Sequence, residues 1–187
     1  MALVKNNLVT AGLSGKLGNM LVFRTVGDKT VVSTAPQGSS EASLAQKATR
    51  EKFQLAAIYG KAVNADPISK AVYEKAAYDK KISVYNVAVA DFCQAPQIES
   101  VDLSHYAGNV NDYIITRVTD DFKVVSVETE IHQADGTLVE KGLAILQANG
   151  LDWKYTVTVS NTNTAGDKII IKAFDLPGNE TDVEKVV

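Results

Sequence analysis

The sequence has one cysteine, four prolines and no long run of apolar residues. Because a disulfide needs two cysteines, the lone Cys93 excludes an intramolecular disulfide and indicates a chain that folds in a reducing compartment or needs no cross-link. No apolar run approaches the roughly 20 residues of a membrane helix, so we expect no membrane span. The N-terminus lacks the basic and apolar regions of a secretory signal. We therefore expect synthesis in the cytoplasm, with a particle or an extracellular assembly as the candidate final site.

Residues suited to catalysis are also scarce. The two histidines, His105 and His132, have no partners at metal-ligand spacing. Cys93 lies on the apolar side of a predicted helix, which favours a buried structural thiol over a nucleophile. The glycine-lysine segment at 12–17 is not a phosphate-binding loop, because its glycines are too close together and a leucine follows the lysine. We expect neither enzyme activity nor a cofactor.

What is present is a composition typical of a globular protein, with an uneven distribution of charge. Hydrophobic residues make up 45% and charged residues 22% of the chain. Residues 1–96 have a net charge of +5 and residues 97–187 a net charge of −8. The halves are either two solvated faces or complementary surfaces of neighbouring subunits in a head-to-tail assembly. We expect no nucleic-acid binding, since acids are interspersed among the lysines and no aromatic platform accompanies them.

The first forty residues are divided by turn residues into a β-hairpin. β-branched residues favour strands at 20–25 and 30–34. Gly27 and Asp28 lie between these two runs, a strong signal for a hairpin turn. Further glycines precede the first of the strands and predict tight turns there.

Between residues 41 and 94 the apolar spacing is helical and predicts about three α-helices. Ser43 with Gln46 has the spacing of a capping box, Asp66 followed by proline marks a second helix start, and Ser83 begins a third. The first helix carries one apolar stripe. Its members are Leu44, Ala48, Leu55, Ile58 and Ala62.

After residue 95 the periodicity changes from helical to that of strands. This change predicts two domains, a hairpin and helical assembly region at 1–95 and a β-sandwich at 96–187. The predicted strands lie at 98–103, 113–118, 124–131, 137–140, 144–146, 153–159 and 168–174. Seven short strands in about 90 residues indicate an antiparallel β-sandwich. The predicted fold class is α+β.

Three segments near the end of the chain carry a resemblance to a known family. They are the phrase Trp153-Lys154-Tyr155, the strand at 169–175 and the corner Pro177-Gly178-Asn179. In these the C-terminal half resembles bacterial immunoglobulin-like (Ig-like) domains, which implies an Ig-like sandwich with the aromatic pair in its core. With the glycine-lysine-leucine-glycine-asparagine motif at 15–19, the whole chain resembles uncharacterised Bacteroidota proteins, some of them phage- or particle-associated. The resemblance implies no catalytic residue.

Aspartates cluster in two predicted turns. Asp120 and Asp121 lie in one turn and Asp175 begins the other. Loops of Ig-like domains sometimes bind calcium through such carboxylates, which makes these three residues calcium candidates. We prefer the interpretation that they are solvated turn acids, and so we expect no metal.

These observations predict a non-enzymatic structural subunit that self-assembles or docks into a larger particle, tube or filament of bacterial or phage origin. Its partners would be further copies of the chain, with head-to-tail contacts as one arrangement, or other particle proteins. The expected contact residues lie in the N-terminal arm and the glycine hairpin. They are Leu3, Val4, Leu8, Gly15, Lys16, Gly18, Asn19, Gly27 and Asp28. The alternative is a monomeric Ig-like binding module whose loops recognise a glycan or a protein.

Overall fold

The computed structural model describes residues 2–4, 12–26, 29–35 and 41–187. Contacts within the chain group residues 1–47 into one unit and residues 48–187 into a second. Within the described residues, no helix is both long and apolar enough to cross a membrane.

The described residues of the first unit form four antiparallel strands. They are β1 (Ala2–Val4), β2 (Gly15–Leu17), β3 (Leu21–Val26) and β4 (Lys29–Thr34), in the sheet order β1-β4-β3-β2. β3 and β4 are the predicted hairpin and pair with Val26 opposite Lys29. The predicted turn residues Gly27 and Asp28 lie outside the described residues. β1 and β2, which the sequence pattern did not predict, extend this hairpin on both sides.

Three helices follow, and each begins at a predicted cap. They are α1 (Leu44–Ala65), α2 (Pro67–Lys80) and α3 (Val84–Cys93). The Ser43 and Gln46 side chains each bond the other residue's backbone N–H, at 3.2 and 3.0 Å, which completes the capping box. The Asp66 carboxylate and the Ser83 hydroxyl each accept a backbone N–H at the starts of α2 and α3.

The helices of the second unit pack around a buried tyrosine. Tyr73 of α2 is fully buried. The side chains buried with it are Val63, Ala77, Val87 and Ala88. α1 approaches α3 closely at Gly60, where an added Cβ would lie 2.8 Å from Val89 and 3.0 Å from Tyr85. A larger residue at position 60 would therefore require the Val89 and Tyr85 side chains or the helices themselves to shift.

Eight strands form two antiparallel four-stranded sheets after the helices. They are β5 (Gln97–Asp102), β6 (Tyr113–Thr119), β7 (Val124–His132), β8 (Leu138–Leu143), β9 (Ile145–Leu146), β10 (Asp152–Thr156), β11 (Lys168–Asp175) and β12 (Glu180–Val186). The sheet orders are β5-β6-β10-β9 and β12-β11-β7-β8. Seven of these strands correspond to predicted ones, and β12 is an eighth that the pattern did not predict.

The two sheets share one apolar core, to which strands of both contribute alternate residues. Ile114 on β6 and Ile171 on β11 are fully buried, and Trp153 on β10 is 7% exposed, as its predicted inward orientation requires. The α+β fold class is confirmed. The order β5-β6-β10-β9 of one sheet matches the A-B-E-D order of an immunoglobulin sheet, and the Ig-like character of the sandwich stays a prediction. Kinship with bacterial Ig-like domains stays a prediction.

Helices and sheets of the second unit are in direct contact. The Phe122 ring, in the turn between β6 and β7, stacks on Tyr73 of α2 with ring centroids 4.4 Å apart. The helical residues from 48 onward therefore belong to the same unit as the sandwich. The predicted division into 1–95 and 96–187, taken as a boundary between separately folding domains, stays a prediction.

A partly buried ion network lies on the sheet that contains β7 and β11. Glu130 is 9% exposed. Its carboxylate accepts hydrogen bonds from Lys172 at 2.9 Å and from Lys141 at 3.1 Å, and it lies 3.1 Å from the His132 ring. The bond from Lys172, followed by that from His132, lowers the pKa of Glu130 to about 2.

We predict that Glu130→Gln destabilises the protein at pH 7 and flattens its acid unfolding profile. A carboxyl whose pKa is lowered by folding stabilises the fold above its unfolded pKa of 4.5, and this contribution is lost as the pH falls towards 2. The shift corresponds to a free energy on the order of 3 kcal/mol. Urea unfolding between pH 7 and pH 2 measures it.

The matched control is Glu184→Gln. Glu184 forms a single ion pair with Lys168 at 3.2 Å, and both side chains are nearly half exposed. Solvent screens such a pair, so its loss should change stability by less than about 1 kcal/mol. Equal effects of the two substitutions would contradict the assignment of Glu130 as a buried, stabilising anion.

Candidate functional site

Three aspartates from separate parts of the second unit converge on one point. Asp91 lies on α3, Asp120 directly follows β6, and Asp175 ends β11. One carboxylate oxygen of each lies within 4.8 Å of the others. Asp91 is fully buried, Asp175 is 4% exposed and Asp120 is half-buried. We call these three residues the aspartate cluster.

The two loop aspartates are held by the turns to which they belong. Asp120 Oδ2 accepts the backbone N–H of Phe122 at 3.2 Å and that of Lys123 at 2.7 Å. Asp175 Oδ1 accepts the N–H groups of Gly178 at 2.9 Å and Asn179 at 2.6 Å. These are the local bonds that make aspartate common at turns, and they fix the direction of both carboxylates.

Asn179 links the turn at 175–179 to the end of α3 through hydrogen bonds. Its Nδ2 lies 2.6 Å from Asp175 Oδ2 and 3.0 Å from the carbonyl oxygen of Gln94. The same nitrogen is 3.3 Å from the carbonyl oxygens of Asp91 and Phe92. The last carbonyls of a helix lack partners within the helix, and here the two N–H bonds of one amide are directed at the Asp175 carboxylate and at this group of carbonyls.

Asp91 uses only one of its two oxygens in hydrogen bonding. Its Oδ2 accepts the Tyr73 hydroxyl, and the Tyr73 oxygen in turn lies 2.8 Å from the Tyr59 hydroxyl. Asp91 Oδ1 is buried and has no hydrogen-bond partner among the described residues, and the same holds for Asp120 Oδ1. A buried polar atom without a partner costs about 1–3 kcal/mol and needs an explanation.

The electrostatics of the cluster disfavour three negative charges. Burial raises the pKa of Asp91 to about 7; the bond from Tyr73 opposes this rise, and the neighbouring charges of Asp120 and Asp175 add to it. Burial also raises the pKa of Asp175, against the bonds from Asn179. Burial and the bond to Asp91 raise the pKa of Tyr73, so that its proton remains on the tyrosine. The cluster therefore calls for a positive charge, either a proton or a cation.

The structure brings together two of the three predicted calcium candidates. Asp120 and Asp175 belong to the cluster. Asp121 is exposed and does not belong to it, although its carbonyl oxygen lies 3.3 Å from Lys80 Nζ. Asp91 was not predicted. A signal for it was present, because it is the only charged residue of α3 and charged residues are seldom buried unless they are paired.

The predicted contact residues lie in the first unit. Gly15 and Lys16 are in β2, Gly18 and Asn19 are in the turn after it, and all four are exposed. Leu3 and Val4 are in β1, whose backbone pairs with β4. Outside the described residues lie Leu8, Gly27 and Asp28. A role for this surface in assembly stays a prediction.

The predicted apolar stripe of α1 exists, but it faces solvent. Leu44 is 85%, Leu55 51% and Ile58 64% exposed. Ala48 and Ala62 on the same stripe are exposed too. The buried side of the helix is instead lined by small residues and one valine. They are Ala56, Gly60 and Val63.

The comparisons with known proteins give no family for this chain. No protein-family model matches it, and no curated protein matches it. Its structure is similar to the crystal structure of an engineered protein, at 18% sequence identity and a TM-score of 0.35, over 54% of this chain. The matched part spans 25% of the engineered protein. A likeness of this degree carries no argument about fold or function.

We predict that Asn179→Ala lowers the free energy of unfolding by about 1–3 kcal/mol. The substitution leaves the α3 carbonyls and one Asp175 oxygen without their shared donor. Urea unfolding followed by far-ultraviolet circular dichroism measures the change. Asn163→Ala is the control, since Asn163 is an exposed loop residue, and equal effects of the two would contradict the role assigned to Asn179.

Proposed function

We propose that the chain is a non-enzymatic structural subunit that self-assembles or docks into a larger particle, tube or filament. The observation that carries this proposal is the exposed apolar stripe of α1. Large apolar groups that line up on a solvent-facing helix mark a protein–protein contact more often than isolated ones do. A helix of this kind binds by laying its apolar side into a groove or against another helix.

The spacing of the stripe suits packing against another helix. Its members follow one another at intervals of four, seven, three and four residues. Steps of three and four residues keep side chains on one side of a helix and match the seam of a coiled coil. Burying a large aliphatic side chain is worth about 1.5–3 kcal/mol, so Leu55 and Ile58 alone could contribute substantially to an interface.

Charge beside the stripe supports an acidic partner surface. Lys52 and Lys61 are exposed on α1, at the margins of the apolar stripe. On β12, an edge strand of its sheet, Glu180, Asp182 and Glu184 alternate along one exposed side. The net charges of the two halves of the sequence are likewise opposite. A head-to-tail contact between copies would bring opposite charges together, and such contacts build rings or filaments.

The contacts of the sandwich loops favour this proposal over the monomeric binding module. That alternative assigns ligand recognition to the turns around Asp120 and at 175–179. Asn179 donates to carbonyls at the end of α3, and Asp175 lies beside the Asp91 carboxylate of that helix. This leaves less of the loop surface open to a glycan or a protein.

We predict that the protein forms oligomers or larger particles at tens of micromolar and that Ile58→Glu reduces their size to a monomer. A glutamate at position 58 places a charge in the apolar contact, which costs several kcal/mol when it is buried without a partner. Size-exclusion chromatography with light scattering measures the mass, and negative-stain microscopy shows any particles.

Asn64→Glu is the matched control. It introduces the same charge into α1 at another exposed position, about a third of a turn away around the helix. This variant should assemble as the unchanged protein does. A strict monomer for the unchanged protein, or equal loss of assembly in both variants, would contradict the proposal.

A further inference from the structure

We propose that the aspartate cluster binds one Ca²⁺ ion, which fastens the end of α3 to two turns of the sandwich. The site is distinct from the assembly surface on α1 and does not depend on the proposed function. Its ligands would be Asp91, Asp120 and Asp175. Each comes from a different element, so a shared ion would cross-link positions that are far apart in the sequence.

The unpartnered oxygens are the observation that points to a ligand. Asp91 is fully buried, and its Oδ1 has no hydrogen-bond partner among the described residues. Asp120 Oδ1, in the same cluster, is also buried and unpartnered. The other oxygens of both residues are already bonded to Tyr73 and to backbone N–H groups. The cluster thus retains two buried oxygens without a hydrogen-bond donor, and a bound cation would compensate both.

The spacing of the carboxylates suits a single ion. Oxygens bound to Ca²⁺ lie about 2.3–2.6 Å from it, so two of them can be at most about 5 Å apart. The three cluster oxygens lie within 4.8 Å of one another. The carboxylates could therefore share one ion with only small movements.

The kind of donor and the burial favour calcium over other cations. The cluster consists of carboxylates, without the histidine or cysteine ligands that zinc prefers. Magnesium gives up its waters reluctantly and keeps several of them when bound. Two of the three ligands here are almost completely buried, which leaves little room for retained water. Ca²⁺ accepts irregular oxygen coordination, in which bidentate carboxylates and backbone carbonyls take part.

Bound Ca²⁺ would remove the repulsion that the cluster now contains. Three carboxylates at this separation carry more negative charge than a buried place tolerates, and a divalent ion compensates most of it. A ligand that binds the folded chain alone raises the stability of that state in proportion to the logarithm of its concentration. The ion would be a structural ion that links the helices to the sandwich.

The test uses the full chain after treatment with a chelator. Isothermal titration calorimetry with CaCl₂ should show one site per chain with a dissociation constant below about 1 mM. Thermal unfolding should shift to higher temperature with added CaCl₂. MgCl₂ should bind at least about tenfold more weakly. No binding of CaCl₂ overturns the proposal, and equal binding of MgCl₂ overturns the choice of calcium.

Two variants and a control separate a ligand role from a merely structural one. Asp91→Asn and Asp120→Asn should each weaken calcium binding at least about tenfold. Without calcium, Asp91→Asn should be at least as stable as the unchanged protein, because the amide still accepts the Tyr73 hydroxyl and carries no charge. Asp182→Asn, in an exposed residue of β12, should bind as the unchanged protein does.

The outcomes remain decisive if one variant fails to fold. Asp120→Asn alters a half-buried turn residue and leaves the buried Asp91–Tyr73 bond intact, so it provides a second measurement. Unchanged calcium affinity in a folded Asp91 or Asp120 variant overturns the assignment of ligands. An equal loss of affinity in Asp182→Asn overturns it too, since the effect would then follow net charge.

Discussion

A carboxylate buried at the meeting point of α3 and two sandwich turns is the constraint around which the second unit is arranged. Asp91 is fully buried, and a charge in such a place is tolerated only when it is compensated. The Tyr73 hydroxyl supplies part of this compensation. The amide of Asn179 bonds the carbonyls around Asp91 and the carboxylate of Asp175. The packing of the helices on the sandwich therefore depends on polar contacts as well as on the stacked ring of Phe122.

The two sides of α1 differ in the size of their residues and in their exposure. One side packs through small residues, and Gly60 lets α3 approach closely. The other side carries the large apolar residues Leu55 and Ile58, which remain exposed. α1 thus packs internally through mainly small residues, while its larger residues Leu55 and Ile58 are available to a neighbouring molecule.

Local signals in the sequence predicted much of this fold. The caps at Ser43, Asp66 and Ser83 and seven of the eight sandwich strands could be predicted, because both depend on neighbours a few residues away. β12 was missed because only Val183 is apolar among the residues that alternate with its acids, Thr181, Val183 and Lys185. Which side of α1 is buried could not be predicted either. Periodicity identifies a stripe, but the element that covers it is set by the tertiary structure.

The candidate site was predictable only in part for the same reason. Asp120 and Asp175 could be named from turn chemistry, but more than fifty residues separate them, and no local pattern shows that they meet. Asp91 joins them through the docking of a helix. Its unusual place in an apolar helix was a readable signal of burial. The identity of its partners was not contained in any stretch of adjacent residues.

Glu51 can make the exposed stripe of α1 selective for its partner. It is four residues before Leu55 and seven before Ile58, so it lies on the same side of the helix as they do. Any surface that covers the stripe must also cover this carboxylate, or leave a gap in the interface where the carboxylate stays in contact with solvent. A partner without a cation at that point would bury the charge uncompensated and be rejected. One glutamate can therefore make the contact selective among surfaces of equal hydrophobicity and fix the register in which two molecules meet.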